Sequence, residues 1–245
     1  MQSHEKLLSI LDLFDTDRPE WSFDDILART DFSRSTLYRY LKVLVDSGLV
    51  STFPGRGFTL GPRIIQMEYQ IMASDPLIHA ARPVMRKLAA SAPCVALLCR
   101  RYRQAVLCVH QESSTKKIRS NYERGRARPL LRGAASLVIL AHLSHYQLGK
   151  LYRDAPGDFS EAGLGGSLTE LRITLRYIRQ NGWFHTRGAV TEGVTGIAAP
   201  IFDSQDEIAG SLSLTFPDPD MSEEDVASVG ERVALSARVI SNTLR

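Results

Sequence analysis

The order of apolar and polar residues in segment 32–60 predicts a two-faced helix followed by a short hairpin. At about 100° per residue, four apolar side chains fall on one side of this helix and four polar ones on the other. Ser33 suits the N-cap, where a side-chain oxygen accepts a hydrogen bond from a first-turn amide, and Gly48 suits the left-handed residue that ends many helices. The apolar set is Leu37, Leu41, Leu44 and Val45, and the polar set is Ser35, Tyr38, Arg39 and Lys42.

Two shorter helices are predicted upstream, and a hairpin downstream. Ser22 with Asp25 is a capping pattern for a helix over residues 22–30, and apolar spacing predicts another over residues 4–14 with Leu7, Leu8, Leu11 and Phe14 buried. β-prone residues 49–53 and 58–60 flank a turn that carries Arg56. Three helices and a hairpin make a winged helix-turn-helix, whose third helix enters the major groove of DNA and whose wing contacts the backbone or minor groove. We therefore expect DNA contacts from Ser33, Arg34, Ser35, Thr36, Tyr38, Arg39, Lys42 and Arg56.

Charge separates the predicted DNA-binding segment from its surroundings. The whole chain has 30 Lys plus Arg against 27 Asp plus Glu, a net of +3, which favours neither a nucleic-acid partner nor its absence. Residues 1–72 are slightly acidic, with eight basic and ten acidic side chains, whereas residues 33–63 carry five cations and one carboxylate. A polar helix face is often simply solvated. The local positive charge, together with the turn glycine and the hairpin, favours DNA binding.

The rest of the chain predicts a second domain of mixed helix and strand, so the fold class is α+β. Helices on one side of an antiparallel sheet are expected to leave a concave face for a small ligand. The predicted helices cover residues 77–91, 134–142 and 168–180 and a C-terminal stretch from Ser222, and the predicted strands cover residues 95–100, 105–110, 195–202 and 207–216.

The domain boundary is predicted near Asp75 and Pro76. At 245 residues the chain exceeds one winged domain. Apolar positions across residues 60–73 predict a connecting helix that also buries one face, made by Ile64, Ile65, Met67 and Ile71. We expect a winged domain at residues 1–61, a linker helix at residues 62–74 and a ligand-binding domain at residues 75–245.

Neither a membrane nor a cofactor is predicted as a partner. No apolar run reaches the roughly 18 residues that a membrane span needs, and the N-terminus lacks a signal-peptide core, so we expect a cytoplasmic protein. Cys94, Cys99 and Cys108 form no CxxC pair and are expected to be buried thiols. His142 and His145 have helical spacing, but Ser144 between them looks like a helix cap, so no metal site is expected.

Several motifs resemble the IclR (isocitrate lyase regulator) family of bacterial transcription regulators. Near the N-terminus they are Ser35-Thr36-Leu37-Tyr38-Arg39 followed by Leu41, Leu44 and Gly48, and Phe58-Thr59-Leu60-Gly61 at the end of the wing. Farther on they are Glu170-Leu171, Ile178-Arg179-Gln180-Asn181-Gly182-Trp183, and Gly193-Val194-Thr195-Gly196-Ile197-Ala198-Ala199-Pro200-Ile201-Phe202-Asp203. The resemblance covers nearly the whole chain.

This resemblance implies a ligand-responsive DNA-binding regulator, typically a repressor of a catabolic operon, with a GAF-like effector-binding domain. It further implies homodimers or dimers of dimers on palindromic double-stranded operator DNA, and a small organic acid or aromatic catabolite as effector. Carried over position by position, the effector pocket comprises Leu130, Ala134, Ala135, Ser136, Thr186, Gly196, Ser213 and Thr215.

Three departures from the family pattern make the implied pocket less polar than usual. Leu131 stands where members commonly have His, and Ser136-Leu137 stands where they have Gly-Lys. Ala189 replaces a usual Glu. The resemblance therefore implies the class of effector and leaves its identity open.

A basic segment at residues 113–132 has no counterpart in the family pattern. It holds seven cations against Glu123 alone. Two interpretations stay open: it attracts an anionic effector through long-range steering, or it is a solvated loop or subunit contact.

Two other classes of protein compete with a regulator. An enzyme is one, but the chain has no GxSxG elbow, phosphate-binding loop, GxGxxG turn or HExxH pair. A ligand sensor with a degenerate DNA-binding domain is the other, and Arg34, Arg39 and Lys42 argue against it.

Overall fold

The chain divides into two compact units, Met1–Asp75 and Pro76–Arg245, in a computed structural model. The structure describes residues 2–55, 57–114, 124–217 and 221–245. The N-terminal unit contains the helices α1 (Ser3–Ser9), α2 (Phe23–Arg29), α3 (Arg34–Asp46) and α4 (Pro62–Ser74) and the strands β1 (Val50–Phe53) and β2 (Gly57–Leu60). The predicted winged helix-turn-helix is confirmed.

The first helix is shorter than predicted. α1 ends at Ser9, and the chain tightens into a 3-10 turn over Leu11–Leu13 instead of continuing to Phe14. Ile10, at the junction, is fully buried, whereas Leu8 is 52% exposed and was wrongly predicted as buried. Leu8 lies off the stripe formed by Leu7, Ile10 and Leu11, which contact the core of this unit.

Serine caps begin the helices where the sequence predicts them. Ser22 Oγ accepts a hydrogen bond from the Asp25 amide at 3.1 Å. The Asp25 carboxylate accepts a hydrogen bond from the Ser22 hydroxyl, whereas in a full capping box it would accept one from the Ser22 backbone amide. At the other end of the chain, Ser222 and Asp225 form the complete reciprocal pair.

The hairpin is held against α3 by a close backbone approach. β1 and β2 pair antiparallel with Val50 opposite Leu60 and Phe53 opposite Gly57. Gly61 follows directly, and a Cβ at that position would lie 2.2 Å from the carbonyl oxygen of Gly48. Only glycine fits there, and this accounts for the Leu-Gly ending of the wing motif.

Helix α4 does not bury the face that its apolar spacing predicts. None of its residues is buried in the single chain. Ile65 is 72% exposed, Met67 43% and Ile71 56%, and Tyr69 is 72% exposed as well. The pattern correctly predicted the helix, but nothing within the described part of the chain buries these side chains.

The C-terminal unit is built on a six-stranded antiparallel sheet. Its strands are β3 (Val95–Tyr102), β4 (Ala105–Ser113), β5 (Ala127–Pro129), β6 (Phe184–Arg187), β7 (Val194–Phe202) and β8 (Ile208–Pro217). Its helices are α5 (Pro76–Ser91), α6 (Ala134–Ala141), α7 (His145–Asp154), α8 (Pro156–Glu161), α9 (Leu168–Asn181) and α10 (Glu223–Thr243). The strand order is β5-β4-β3-β8-β7-β6. Three of these elements, β5, α8 and β6, were not predicted, and of α7 only the Ser144 cap was.

Helices cover both faces of this sheet, so the expectation of helices on one side is wrong. Val95, Leu97 and Cys99 of β3 point into a core shared with α6 and α9. Ala96 and Leu98 alternate with them, are also buried, and point to the opposite face, where α5 packs along β3 and β4 and α10 along β7 and β8. A binding site on the first face must therefore lie between the sheet and α6.

No helix within the described ranges is long and apolar enough to cross a membrane.

Candidate functional site

Helix α3 begins at a compact network of hydroxyl groups. Ser33 Oγ accepts a hydrogen bond from the Thr36 amide at 3.3 Å, its hydroxyl donates to Thr36 Oγ1 at 2.9 Å, and Ser35 Oγ lies 3.1 Å away. Leu37, Leu41 and Leu44 are fully or almost fully buried on the inner side. The cap and this apolar stripe set which side of the helix faces solvent.

The outer side of α3 carries the predicted DNA-binding side chains. Tyr38 is 66% exposed, and Arg39 and Lys42 are exposed and make no hydrogen bond or ion pair within the described part of the chain. Arg34 differs, because its guanidinium lies 2.9 Å from the Asp24 carboxylate and over the Phe23 ring. Thr36 is half-buried and serves the cap.

Arg56, the predicted wing contact, lies outside the described residues.

On the sheet of the C-terminal unit, three hydroxyl side chains alternate along β8 and face α6. Ser211 donates to the carbonyl oxygen of Ala135 at 3.0 Å, and Thr215 donates to that of Val95 at 3.2 Å. Ser213, between them, is 3% exposed and has no hydrogen-bond partner among the described residues. The outer two hydroxyls are therefore structural, and the middle one is available to a ligand.

Ser213 lines a small pocket whose opposite wall is the start of α6. The Ala134 amide donates to Thr186 Oγ1 at 3.2 Å, so Thr186 satisfies one of the amides at the start of α6. Gly133, the N-cap, has a φ of 87° and offers no side-chain cap. The pocket volume is about 30 Å³, about the volume of one water molecule.

Six of the eight predicted effector residues meet at this pocket, and two do not. Leu130 lines a separate cleft of about 550 Å³ beside α7 and α8, together with Arg132 and Phe159. Ser136 is fully buried within α6 and lines neither space. The six that converge are Ala134, Ala135, Thr186, Gly196, Ser213 and Thr215.

Several residues that line the two spaces were not predicted from the sequence. Leu97, Gly133, Val194 and segment 189–191 complete the small pocket. The alternation of Ser211, Ser213 and Thr215 is a period-two signal that could have indicated a polar row on one strand face. No comparable signal marks the cleft, because its walls come from segments that meet only in the folded unit.

The other candidate chemistry does not assemble into a site in the described residues. No group of three or more His, Cys, Asp or Glu side chains there could hold a metal ion. His142 Nδ1 lies 2.9 Å from the Val138 carbonyl oxygen, and Ser144 caps α7 as expected. Lys116, Lys117, Arg119 and Glu123 of the basic segment lie outside the described residues. All three cysteines are buried and free, as predicted.

Family models match both halves of the chain. Residues 69–242 match the model described as the bacterial transcriptional regulator IclR C-terminal domain, and residues 3–53 match the IclR helix-turn-helix domain. The C-terminal match alone spans well over half of the chain.

Individual relatives and solved structures agree with these matches. The chain is 25% identical over 240 residues to the HTH-type transcriptional regulator KdgR of Dickeya chrysanthemi, which covers 98% of this chain and 78% of that protein. It is 27% identical over 239 residues to the regulator BhcR of Paracoccus denitrificans, covering 97% and 85%.

The fold resembles that of an IclR homolog from Microbacterium hydrocarbonoxydans crystallised in complex with 4-hydroxybenzoate, with a TM-score of 0.78, 22% identity and coverage of 100% and 99%. The family consists of transcriptional regulators and not of enzymes, and its members bind DNA and small-molecule effectors. This chain belongs to the IclR family of bacterial transcriptional regulators.

Proposed function

We propose that this regulator represses a catabolic operon from the cytoplasm, binding palindromic operator DNA through residues 1–61 and an effector through residues 75–245, with residues 62–74 as linker. The exposed outer side of α3 carries the proposal, because Arg39 and Lys42 are exposed to solvent and have no partner among the described residues. An unpaired guanidinium can donate two hydrogen bonds to a guanine edge, and an ammonium can neutralise a phosphate.

Replacing Arg39 with Ala tests the DNA-binding surface. If Arg39 contacts a base, operator affinity should fall by roughly 1 to 3 kcal/mol. The operator is first selected from a random oligonucleotide pool with the wild-type protein, and dissociation constants are then measured by fluorescence anisotropy at fixed salt.

Arg29→Ala is the matched control. Arg29 is also exposed and cationic but lies in the last turn of α2. Equal affinity losses in the two variants would mean that only net charge matters, and unchanged binding by the Arg39 variant would remove Arg39 from the interface.

For the effector we propose a small organic acid or aromatic catabolite bound at the pocket of Thr186 and Ser213. The Ser213 hydroxyl, which has no hydrogen-bond partner among the described residues, supports this site, as does its place opposite the start of α6, where the helix dipole favours an anion. The 4-hydroxybenzoate complex of the related protein supports an aromatic acid. The effector shifts the protein between a state that binds the operator well and a state that binds it poorly. The size of this shift is set by the difference between the effector's affinities for the two states.

A pocket of about 30 Å³ must expand to admit an aromatic acid. Segment 189–191 forms one wall, and it lies between Gly188 and Gly193, which both have left-handed φ angles. We propose that this segment swings outward when the effector binds.

A thermal-shift screen of small carboxylates and aromatic acids, including 4-hydroxybenzoate, identifies ligands that raise the melting temperature. Ser213→Val should abolish the shift given by each hit while leaving DNA binding intact. The control is Arg132→Ala in the larger cleft, which should leave the shift unchanged. The reverse result would place the effector in the larger cleft.

We also propose that the protein is a homodimer, or a dimer of such dimers, in which a second copy covers α4. Ile65 and Tyr69 are one helical turn apart and each 72% exposed, a costly exposure for a monomer. The mass measured by light scattering of the full-length protein distinguishes monomer, dimer and tetramer.

A further inference from the structure

Two of the three cysteines lie directly opposite each other in the sheet. Cys99 of β3 and Cys108 of β4 are register partners, next to a bulge that interrupts the ladder between Leu98 and Cys99. Opposed residues of an antiparallel pair project to the same face with their Cβ atoms about 4.5–5.5 Å apart. Both side chains belong to the buried cluster between the sheet and α6. A disulfide needs Cβ atoms about 3.5–4.5 Å apart, so a small adjustment at the bulge brings the pair within bonding reach.

The two thiols differ in their readiness to react. A hydrogen bond to Cys108, and then burial, raise the pKa of Cys99 well above its usual value. The same hydrogen bond lowers the pKa of Cys108 against the opposing effect of burial, and backbone hydrogen bonds at His110 and Leu98, and then the charge of Arg124, lower it further. Because the thiolate is the nucleophile, Cys108 is the residue that reacts first and Cys99 is the one that resolves.

Cys108 lies just beyond the part of β4 that pairs with β5. Among the described residues, β5 pairs with Ala105–Leu107 of β4, and the Gly125 amide donates a hydrogen bond to the Cys108 carbonyl oxygen at 2.9 Å. Cys99 and Cys108 are 0% and 1% exposed, so only a molecule of nearly water size can reach them through local opening.

We propose that Cys99 and Cys108 form a reversible intramolecular disulfide on reaction with hydrogen peroxide. The Cys108 thiol loses its proton, its sulfur attacks one peroxide oxygen, the O–O bond breaks, and the departing hydroxide takes up the proton as water, leaving a sulfenic acid. The Cys99 sulfur then attacks the Cys108 sulfur, the S–O bond breaks, and hydroxide leaves with the Cys99 proton as a second water. Two thiols are oxidised by two electrons and one peroxide is reduced to two waters.

The disulfide forms in the packing layer beneath the small pocket. Leu97, Ala134 and Ala135 belong to the same buried cluster and line that pocket. Drawing the two sulfurs from contact distance to about 2.05 Å therefore alters the packing on which the pocket wall rests.

The experiment treats the folded full-length protein with hydrogen peroxide, unfolds it, alkylates the remaining thiols and measures the intact mass. Alkylated cysteines should fall from three to one, and dithiothreitol should restore all three. Cys94 and Cys99 lie between the same trypsin sites, Lys87 and Arg100, so the bond is mapped in the Cys94→Ser variant. That variant should yield a single linked pair, Cys99 with Cys108.

Two further variants separate the roles of the pair. Cys99→Ser should leave Cys108 as a sulfenic acid that dimedone captures, whereas Cys108→Ser should give neither a disulfide nor a dimedone adduct at Cys99. Retention of three thiols in the folded wild type, or a bond joining two chains, would overturn the proposal. The wild-type and Cys94→Ser results decide the matter even if the other variants fail to fold.

Discussion

The outer side of α3 and the pocket at Ser213 each expose polar groups without a partner to a prospective ligand, but they are built differently. On α3, Tyr38, Arg39 and Lys42 come from one helix and stand in solvent. In the pocket, Thr186 and Ser213 come from different strands, and Ser213 is almost fully buried. Long cationic side chains in solvent suit a large anionic partner. A buried hydroxyl can discriminate between small molecules, because a ligand that does not hydrogen-bond to it leaves a buried polar group unpaired, at a cost in binding free energy.

The difference shows what each surface depends on. The α3 surface depends on a helix that is held rigidly in the N-terminal unit. The close backbone approach of Gly61 to Gly48, where the wing meets the end of α3, helps to hold it. The pocket needs correct hydrogen bonding around it, which Ser211 and Thr215 supply on either side of Ser213.

The largest effect is expected from Gly61→Ala, which disrupts the close contact between the wing and the end of α3. The new Cβ would lie 2.2 Å from a backbone oxygen, and backbone cannot move aside cheaply. The N-terminal unit should lose about 3 kcal/mol or more of stability, measured by calorimetry, and DNA binding should fall with it.

Gly55→Ala provides the comparison for this substitution. Gly55 has a left-handed φ of 78°, whereas Gly61 has an ordinary φ of −94°, and no other described residue lies within 4 Å of the Cβ added at Gly55. It should cost about 1–2 kcal/mol. A loss at Gly61 no larger than the loss at Gly55 would show that the backbone near Gly48 moves aside at little cost and that the close approach does not hold the wing in place. Ligand-induced stabilisation should survive in both if the two surfaces are independent.

An intermediate effect is expected from Ser211→Ala, which tests whether Ser211 is structural while Ser213 is available to a ligand. Removing this hydroxyl takes away the second hydrogen bond of the Ala135 carbonyl, which keeps its helical bond within α6, at a cost of about 0.5–1.5 kcal/mol in urea denaturation. Ser213→Ala should cost clearly less, because no internal hydrogen bond is lost. Equal losses would show that Ser213 is structural and would undermine its assignment to a ligand.

The smallest effect is expected from Asp24→Asn, which sharpens the description of the α3 surface. The Asp24–Arg34 pair is exposed, with side chains 77% and 70% accessible, so stability should change by no more than about 1 kcal/mol. Freeing Arg34 should tighten DNA binding a few-fold and steepen its salt dependence by up to about one counterion.

Asp46→Asn removes the same charge from the last turn of α3 and is the matched control for this effect. If both variants gain equally in anisotropy titrations, Arg34 has no special part and only the charge of the unit matters.

Local patterns were sufficient to predict most of the N-terminal unit. Ser33 begins α3, the buried stripe is Leu37, Leu41 and Leu44, and Gly48 has the left-handed φ of 73° expected of a helix end. Each of these depends on neighbours within about one or two turns. The prediction was wrong at Leu8 and across α4, because exposure depends on what else packs there.

The pocket could be predicted only through the resemblance and only in part. Ala134, Thr186 and Ser213 are far apart in the chain, and no periodicity links them. The resemblance assigned Leu130 and Ser136 to the same pocket, yet Leu130 faces the larger cleft and Ser136 is enclosed within α6. The pairing of Cys99 with Cys108 depends on a one-residue bulge, which shifts the register between β3 and β4.

The sequence by itself determined the winged helix, the α+β class and the cationic side of α3, because these follow from short-range periodicity, capping and local charge. The family was indicated by the resemblance of motifs spread along the chain. Tertiary structure alone decided which hydroxyls are already bonded, which thiols face each other and how little room the Ser213 pocket has. The physical reason is that hydrogen-bond satisfaction and cavity volume depend on atoms from distant segments meeting within a few tenths of an ångström, and residue spacing carries no information at that scale.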